Sequence, residues 1–268
     1  MKKEIVENLY EALKKDDFDR TIYGDRNEIL RFYKNLRRAL FLNCYFENIS
    51  PELLDEYLEI SKTNLKNFFG YKFEEYESKI EEIYGELPKI KEMLSYDVEA
   101  IFNGDPAANS YKEIVLTYPG FVAISVYRIA HEFYKRGLIF ISRVLSEYAH
   151  GKTGVDINPG AKIGKYFFID HGTGIVIGET AEIGDHVKLY QGVTIGALSL
   201  KDGQALKGKK RHPTILNNVT IYSGASIFGG ETVIGNNVIL GSNVFITSSI
   251  PDNTICRLTP CGMEKIEK

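Results

Sequence analysis

The sequence predicts an α + β-solenoid: an α-helical N-terminal domain followed by a coil of short parallel strands. Three observations carry that prediction. First, between residues 155 and 250 aliphatic side chains recur six positions apart: Ile163 and Ile169, then Ile177, Ile183, Leu189 and Ile195, then Ile215, Ile221 and Ile227, then Ile234, Leu240 and Ile246. Second, a small or apolar residue stands two places before most of them, as at Ala161, Phe167, Ile175, Ala181, Val187 and Val193, and Gly often follows, as at Gly164, Gly178 and Gly184. Third, residues 1–150 lack this beat and are rich in Glu, Lys, Leu, Tyr and Phe with few Gly. A period of six fits neither the 3.6 of a helix nor the 2.0 of an ordinary strand. It fits three hexapeptides per triangular turn, each turn stacking on the last with its aliphatic residues on a common axis. An ordinary sandwich would turn every 8 to 12 residues and would not keep this phase.

Within the first 150 residues, Ile5, Leu9 and Leu13 keep one helical face, as do Phe32, Leu36 and Leu40. Ser50-Pro51-Glu52 reads as an N-cap with Pro at the first helical position, and Leu54 and Leu58 continue that helix. Pro88 opens another, through Met93 and Asp97 toward Phe102, and Gly104-Asp105-Pro106 ends it in a turn. From Gly120 to about His150 the chain reads as helical, with Val126, Ile129 and Phe133 on one stripe, and residues 151–154 lead into the coil. The domains expected are therefore 1–150 (helical), 151–252 (coil) and 253–268 (a C-terminal tail). The coil's beat slips by two residues across Asp170-His171-Gly172-Thr173-Gly174 and by one near GGET. It stops altogether in ALSLKDGQALKGKK, an inserted loop at 197–210 of a length that is usually functional or disordered.

Composition narrows the classes. With 268 residues, 44% hydrophobic, 26% charged and a net charge of -3, the chain reads as globular, without the basic excess that nucleic acid as a main partner requires. Cys44, Cys256 and Cys261 are sparse and lack metal-ligand spacing, which fits a reducing, cytoplasmic setting. The N-terminal stretch is charged throughout, and no apolar run reaches 18 residues, so neither a signal peptide nor a membrane span is expected.

Two irregular places attract polar chemistry. One turn spans 18 residues, so His171 stacks near residue 153 and Asp156 lies three residues further round. A carboxylate one layer from an imidazole fixes its tautomer and stabilises the imidazolium, the arrangement of a general base. The bland alternative is an exposed corner histidine. Arg211-His212-Pro213 is the second place, where a guanidinium offers a bidentate grip for a carboxylate or phosphate. Lys201, Lys207, Lys209 and Lys210 beside it suit either an anionic ligand or a solvated loop. His171, His186 and His212 contain no close pair, so no metal site is expected. No nucleophile elbow, Walker loop or GxGxxG in usable context is present.

At these residues the chain resembles the serine O-acetyltransferases, hexapeptide-repeat acyltransferases of cysteine synthesis. The likeness runs through VDINPGAKIGKYFFIDHGTGIVIGETAEIGDHVKLYQGVTIG and RHPTILNNVTIYSGASI, and reaches back into YDVEAIFNGDPAANS and PGFVAISVYRIAH. It covers roughly residues 96–250; the first 85 or so carry no recognisable motif. The resemblance implies a left-handed parallel β-helix, a hand the sequence alone does not supply. It also implies a homotrimer or a dimer of trimers, with one active site between each pair of coils. It implies acetyl transfer from acetyl-CoA, a co-substrate and not a resident cofactor, to the hydroxyl of L-serine, with no covalent acyl-enzyme. By the same likeness His171 is the general base and Asp156 its partner. Asp97, Asp170, Arg211 and His212 hold serine, and Gly196, Ala197, Ser223 and Ser242 line the CoA groove. A related acyltransferase with another donor or acceptor, a non-catalytic scaffold and a metal-dependent hydratase are the alternatives. Three departures stand out: the long Lys-rich loop, the absence of a G-x-P-A segment after Thr254, and a sequence ending Ile266-Glu267-Lys268 where the family ends in Ile. The last sets the expected pairing with cysteine synthase apart from this chain.

Overall fold

The computed structural model describes residues 3–15, 24–199, 201–259 and 262–267. Cys261, Lys268, Leu200 of the basic loop and the ends of the N-terminal charged stretch lie outside them. Nine α-helices precede the coil among the described residues: α1 (Lys3–Lys15), α2 (Arg26–Leu40), α3 (Leu42–Tyr45), α4 (Pro51–Phe69), α5 (Phe73–Gly85), α6 (Leu87–Gly104), α7 (Tyr111–Thr117), α8 (Pro119–Lys135) and α9 (Ile139–Thr153). Their ends follow local chemistry. Ser50 Oγ accepts the Leu53 N–H at 3.2 Å and Ser110 Oγ the Glu113 N–H at 3.1 Å, each satisfying an orphan donor of a first turn. Pro51 and Pro119 sit in first turns, where the missing N–H costs nothing.

The helix expected from Gly120 to His150 is two helices. Its break is a Schellman motif: Leu138 N–H donates to Phe133 O at 2.9 Å and Gly137 N–H to Tyr134 O at 3.0 Å, with Gly137 at φ 76°. The α2 stripe forms as read, with Phe32 and Leu36 fully buried and Phe32 edge-on to Phe133 at 5.5 Å. The α1 stripe forms a helix, but Ile5, Leu9 and Leu13 remain more than half exposed. Among the described residues no single helix is long and apolar enough to cross a membrane.

The coil comprises β1 (Asp156–Ile157), β2 (Lys162–Ile163), β3 (Phe168–Ile169), β4 (Val176–Ile177), β5 (Glu182–Ile183), β6 (Lys188–Leu189), β7 (Thr194–Gly196), β8 (Thr214–Ile215), β9 (Thr220–Ile221), β10 (Ser226–Phe228), β11 (Val233–Ile234), β12 (Ile239–Leu240), β13 (Phe245–Ile246), β14 (Thr254–Thr259) and β15 (Gly262–Glu267). They form three faces, β1-β4-β7-β10-β13, β2-β5-β8-β11 and β3-β6-β9-β12-β14-β15, with parallel pairing except between β14 and β15. Every hexad aliphatic is buried, and so is the small or apolar residue two before it. Burial of each aliphatic contributes roughly 1.5–3 kcal/mol, which fixes register wherever one side of a strand is core.

The breaks in the beat reappear in the pairing. Val176 pairs with Thr194, one regular turn onward, whereas Asp156 pairs with Val176 across the two-residue slip. Thr194 pairs with Ser226 across the inserted loop, and Ser226 with Phe245 across the one-residue slip. The loop carries one 3₁₀ turn, Gly203–Leu206. Beyond residue 253 the chain is not a plain tail: β14 adds to the third face beside β12 and folds back on β15, pairing Ile255 with Ile266.

The helical domain meets the coil where two glycines remove obstacles. A Cβ at Gly104 would lie 2.7 Å from the Phe168 ring, and one at Gly120 would lie 2.4 Å from Ile169 O. Gly120→Ala is expected to lower stability by about 1–3 kcal/mol, because the Ile169 carbonyl has no room to move. Gly85→Ala meets nothing within 4 Å and serves as the control. Thermal melts of the two variants check this, and equal shifts would rule out the close docking.

Candidate active site

Each edge of the triangular coil carries one of the histidines considered above. His171 lies between β3 and β4, His186 between β5 and β6, and His212 between β7 and β8, so the three do not converge within one chain. His186 is a corner residue at φ 57°, stacked on Tyr166 at 4.3 Å.

His171 occupies a left-handed corner (φ 56°) that Gly172 and Gly174, at φ 85° and 82°, extend. The two-residue slip thereby pushes the imidazole outward, and its side chain is 69% exposed. Asp170 Oδ1 stands 3.6 Å from Nδ1. Asp156 sits one layer below on the same edge, since Gly174 N–H donates to Gly154 O at 2.8 Å and Asp156 N–H to Ile175 O at 2.9 Å. Among the described residues no hydrogen bond joins the Asp156 carboxylate to His171; the carboxylate facing Nδ1 is Asp170.

The docked helices add two residues that the sequence reading passed over. Asp105, the C-cap of α6, accepts the Tyr118 hydroxyl at 2.7 Å and the Ala107 N–H at 2.8 Å. Those two donors, with a smaller contribution from the charge of His171, hold the Asp105 carboxyl below its ordinary range. Tyr118 is pushed up to about 12, first by its bond to Asp105 and also by Asp170. Asp105, Tyr118, Asp170 and His171 thus form one electrostatic group, with two carboxylates beside an exposed imidazole. In the sequence Asp105 reads only as part of a helix-ending G-D-P turn.

Asp97 does not join that group, and the expectation that it holds substrate gives way here. It is 0% exposed, and both oxygens are occupied. Arg128 Nε and Nη2 donate to them at 2.8 Å each, and Phe167 N–H donates at 3.0 Å. Burial pushes the Asp97 carboxyl up; burial also acts to lower Arg128, but the Asp97 charge and hydrogen bonds, with smaller contributions from Tyr127 and Asp185, together raise it. Arg128 also donates to Ile163 O at 2.8 Å and Gly164 O at 2.7 Å, so the pair ties α6 and α8 to the first turn. Asp97→Ala is expected to destabilise the protein by about 3–5 kcal/mol by leaving a buried guanidinium unpaired. Chemical denaturation measures this, and a loss confined to substrate affinity at unchanged stability would refute it.

The Arg211-His212 segment lies on a different edge. Arg211 Nη2 pairs with Glu179 Oε2, whose Oε1 accepts the Tyr134 hydroxyl at 2.8 Å, so the guanidinium is oriented by a partner the sequence did not reveal. Lys210 Nζ donates to Thr180 O at 2.8 Å, and a cavity of about 280 Å³ opens beside Tyr134, Glu179, Thr180 and Lys210. His212 is buried against Gly178, where a Cβ would come within 2.0 Å of the ring. Burial and then Arg211 push its imidazole down to about 4. The neutral ring is thus the native one. Its contribution to stability is complete above the ordinary 6.5 and is lost as pH falls through about 4. The melting gap between the parent and His212→Asn should therefore narrow across that window; a constant gap would contradict it. Of the residues expected to hold CoA, Ser223 and Ser242 stack on the His171 edge with hydroxyls 3.2 Å apart, whereas Gly196 and Ala197 open the loop on the Arg211 edge.

Residues 71–126 match the family model described as serine acetyltransferase, N-terminal. A serine acetyltransferase of Bacillus pumilus is 54% identical over 129 residues, which are 48% of this chain and 57% of that one. One of Helicobacter pylori is 50% identical over 128 residues, covering 48% of this chain and 71% of the relative. The chain spans about half the length of the first curated relatives it matches. Among solved structures, serine acetyltransferase 1 of Entamoeba histolytica, in complex with L-cysteine, aligns over 95% of this chain and 97% of its own. The identity there is 33% and the TM-score 0.77, and the helical region followed by the left-handed parallel β-helix is common to both.

Proposed function

The chain belongs to the serine acetyltransferase family, and from that membership we propose that it transfers the acetyl group of acetyl-CoA to the hydroxyl of L-serine, giving O-acetyl-L-serine and CoA. The reaction opens cysteine biosynthesis. The observation that carries the reading is the clustering of Asp105, Tyr118 and Asp170 around the exposed His171 corner.

In this scheme His171 removes the hydroxyl proton as the serine oxygen attacks the thioester carbonyl. The imidazolium then returns the proton to the departing CoA thiolate. Asp170 faces Nδ1, and Asp156, one layer below on the same edge, is the second acidic partner. The carboxylates of Asp105 and Asp170 receive the serine ammonium, a role that passes from Asp97 to Asp105. Arg211 and His212 receive the serine carboxylate. Direct transfer in a ternary complex suits the site, since neither described cysteine is exposed: Cys44 and Cys256 are buried, and burial raises both thiols.

The two groups of residues sit on different edges of one coil, with the first face between them. A second copy presenting its Arg211 edge to the His171 edge of the first completes the site, which supports a homotrimer of coils packed side by side. The CoA positions divide in the same way, Ser223 and Ser242 on one edge and Gly196 and Ala197 on the other.

Thiol release from acetyl-CoA, measured over a panel of small hydroxylated amino acids and sugars, tests donor and acceptor together. His171→Ala is expected to lower turnover by about 10²–10⁴-fold while acetyl-CoA still binds. Asp105→Asn is expected to raise the serine KM far more than the acetyl-CoA KM. Activity within a few-fold of the parent in His171→Ala, or no preference for serine in the panel, would overturn the reading.

A further inference from the structure

Thr180, at the corner between β4 and β5, supplies every polar contact of the Nδ1 edge of His212 among the described residues. Its Oγ1 accepts the backbone N–H of Arg211 at 2.9 Å and of His212 at 3.1 Å. The same oxygen stands 2.9 Å from Nδ1, and the Thr180 N–H points at Nδ1 from 3.1 Å. An amide N–H only donates, so Nδ1 has to be the unprotonated ring nitrogen. Both lone pairs of Oγ1 are taken by the two backbone N–H groups, which leaves the hydroxyl proton for that same nitrogen. The two Thr180 donors share the single lone pair of Nδ1, and only the ring with hydrogen on Nε2 accommodates both. An imidazolium would set an Nδ1–H against the Thr180 N–H, a repulsion that adds to burial in keeping the ring uncharged. Gly178 leaves room for the Nε2 edge: any Cβ there would lie 2.0 Å from that nitrogen.

We infer that Thr180 is a positioning residue that fixes His212 as a neutral Nε2–H donor, and so decides which end of the amino-acid substrate this half of the site accepts. A donor without a lone pair to offer receives a carboxylate and rejects an ammonium. Arg211 supplies the positive charge beside it, itself aligned by Glu179 and by the bond from its N–H to Thr180. The substrate zwitterion can then enter in one sense only, its amine directed to Asp105 and Asp170. The inference rests on the acceptor assignment proposed above.

The ¹⁵N spectrum of the His212 imidazole in the intact protein tests the tautomer without reference to activity. One protonated nitrogen, Nε2, is expected in the parent, and hydrogen on Nδ1 or a mixture of tautomers would overturn the inference. Thr180→Val keeps the backbone N–H and with it the tautomer, but leaves the Arg211 and His212 N–H groups without their acceptor; it is expected to lower kcat/KM for serine by about ten- to a hundredfold, with the acetyl-CoA KM within about twofold of the parent. Thr180→Ser, which keeps the hydroxyl, should restore it. An unchanged serine kcat/KM in Thr180→Val would overturn the role. Should the parent not acetylate serine at all, the acceptor assignment fails, and the spectrum still decides the tautomer.

Discussion

The Asp97–Arg128 pair is the constraint on which the rest of the molecule depends. Its two charges are out of water, and a buried ion pair of this kind is weak evidence for net stability, since desolvation offsets much of the attraction. What it supplies is registration. Arg128 reaches a carboxylate on α6 and two carbonyls of the first coil turn, and Asp97 takes an amide from Phe167 in return. A shift of α8 by one residue would break every Arg128 contact at once and leave charge unpaired in the core. The helices are therefore held in one position on the coil, with Gly104 against Phe168 and Gly120 against Ile169. That docking brings Asp105 and Tyr118 to the corner where His171 emerges.

Polar groups gather where the repeat is broken. A regular turn buries its aliphatics and leaves short polar corners with little chemistry. The two-residue slip at 170–174 instead extends a corner through successive left-handed residues and presents an imidazole to solvent. The loop at 197–210 returns to the coil at Arg211 and His212, where Thr180 and Glu179 receive it. Strain and irregularity are tolerated at these points because the stacked aliphatics above and below determine the backbone.

Much of this was legible in the chain. The six-residue period, its partners two places earlier and its interruptions map onto strand pairing without exception, because burial of one side chain per hexad dictates both the strand and its register. The caps at Ser50 and the turn at Gly104-Asp105-Pro106 read correctly for the same local reason. The break at Gly137 did not, since the hydrophobic stripe continues across it and the Schellman bonds leave no mark in periodicity. Nor did the roles of Asp97 and Asp105. They lie eight residues apart on one helix and its cap, and residue type alone does not say which carboxylate meets a guanidinium and which meets solvent.

By itself, then, the sequence determined the coil, its breaks and the residue types able to do acid-base and anion chemistry, because those depend on spacing along the chain. The tertiary structure decided which of these groups share an edge. It sent Asp97 inward to Arg128, put Asp105 beside His171, gave Arg211 to Glu179 and turned His212 into a neutral donor under Thr180. Each of those outcomes depends on burial and on a partner 30 or more residues away, and neither quantity is written in the local pattern.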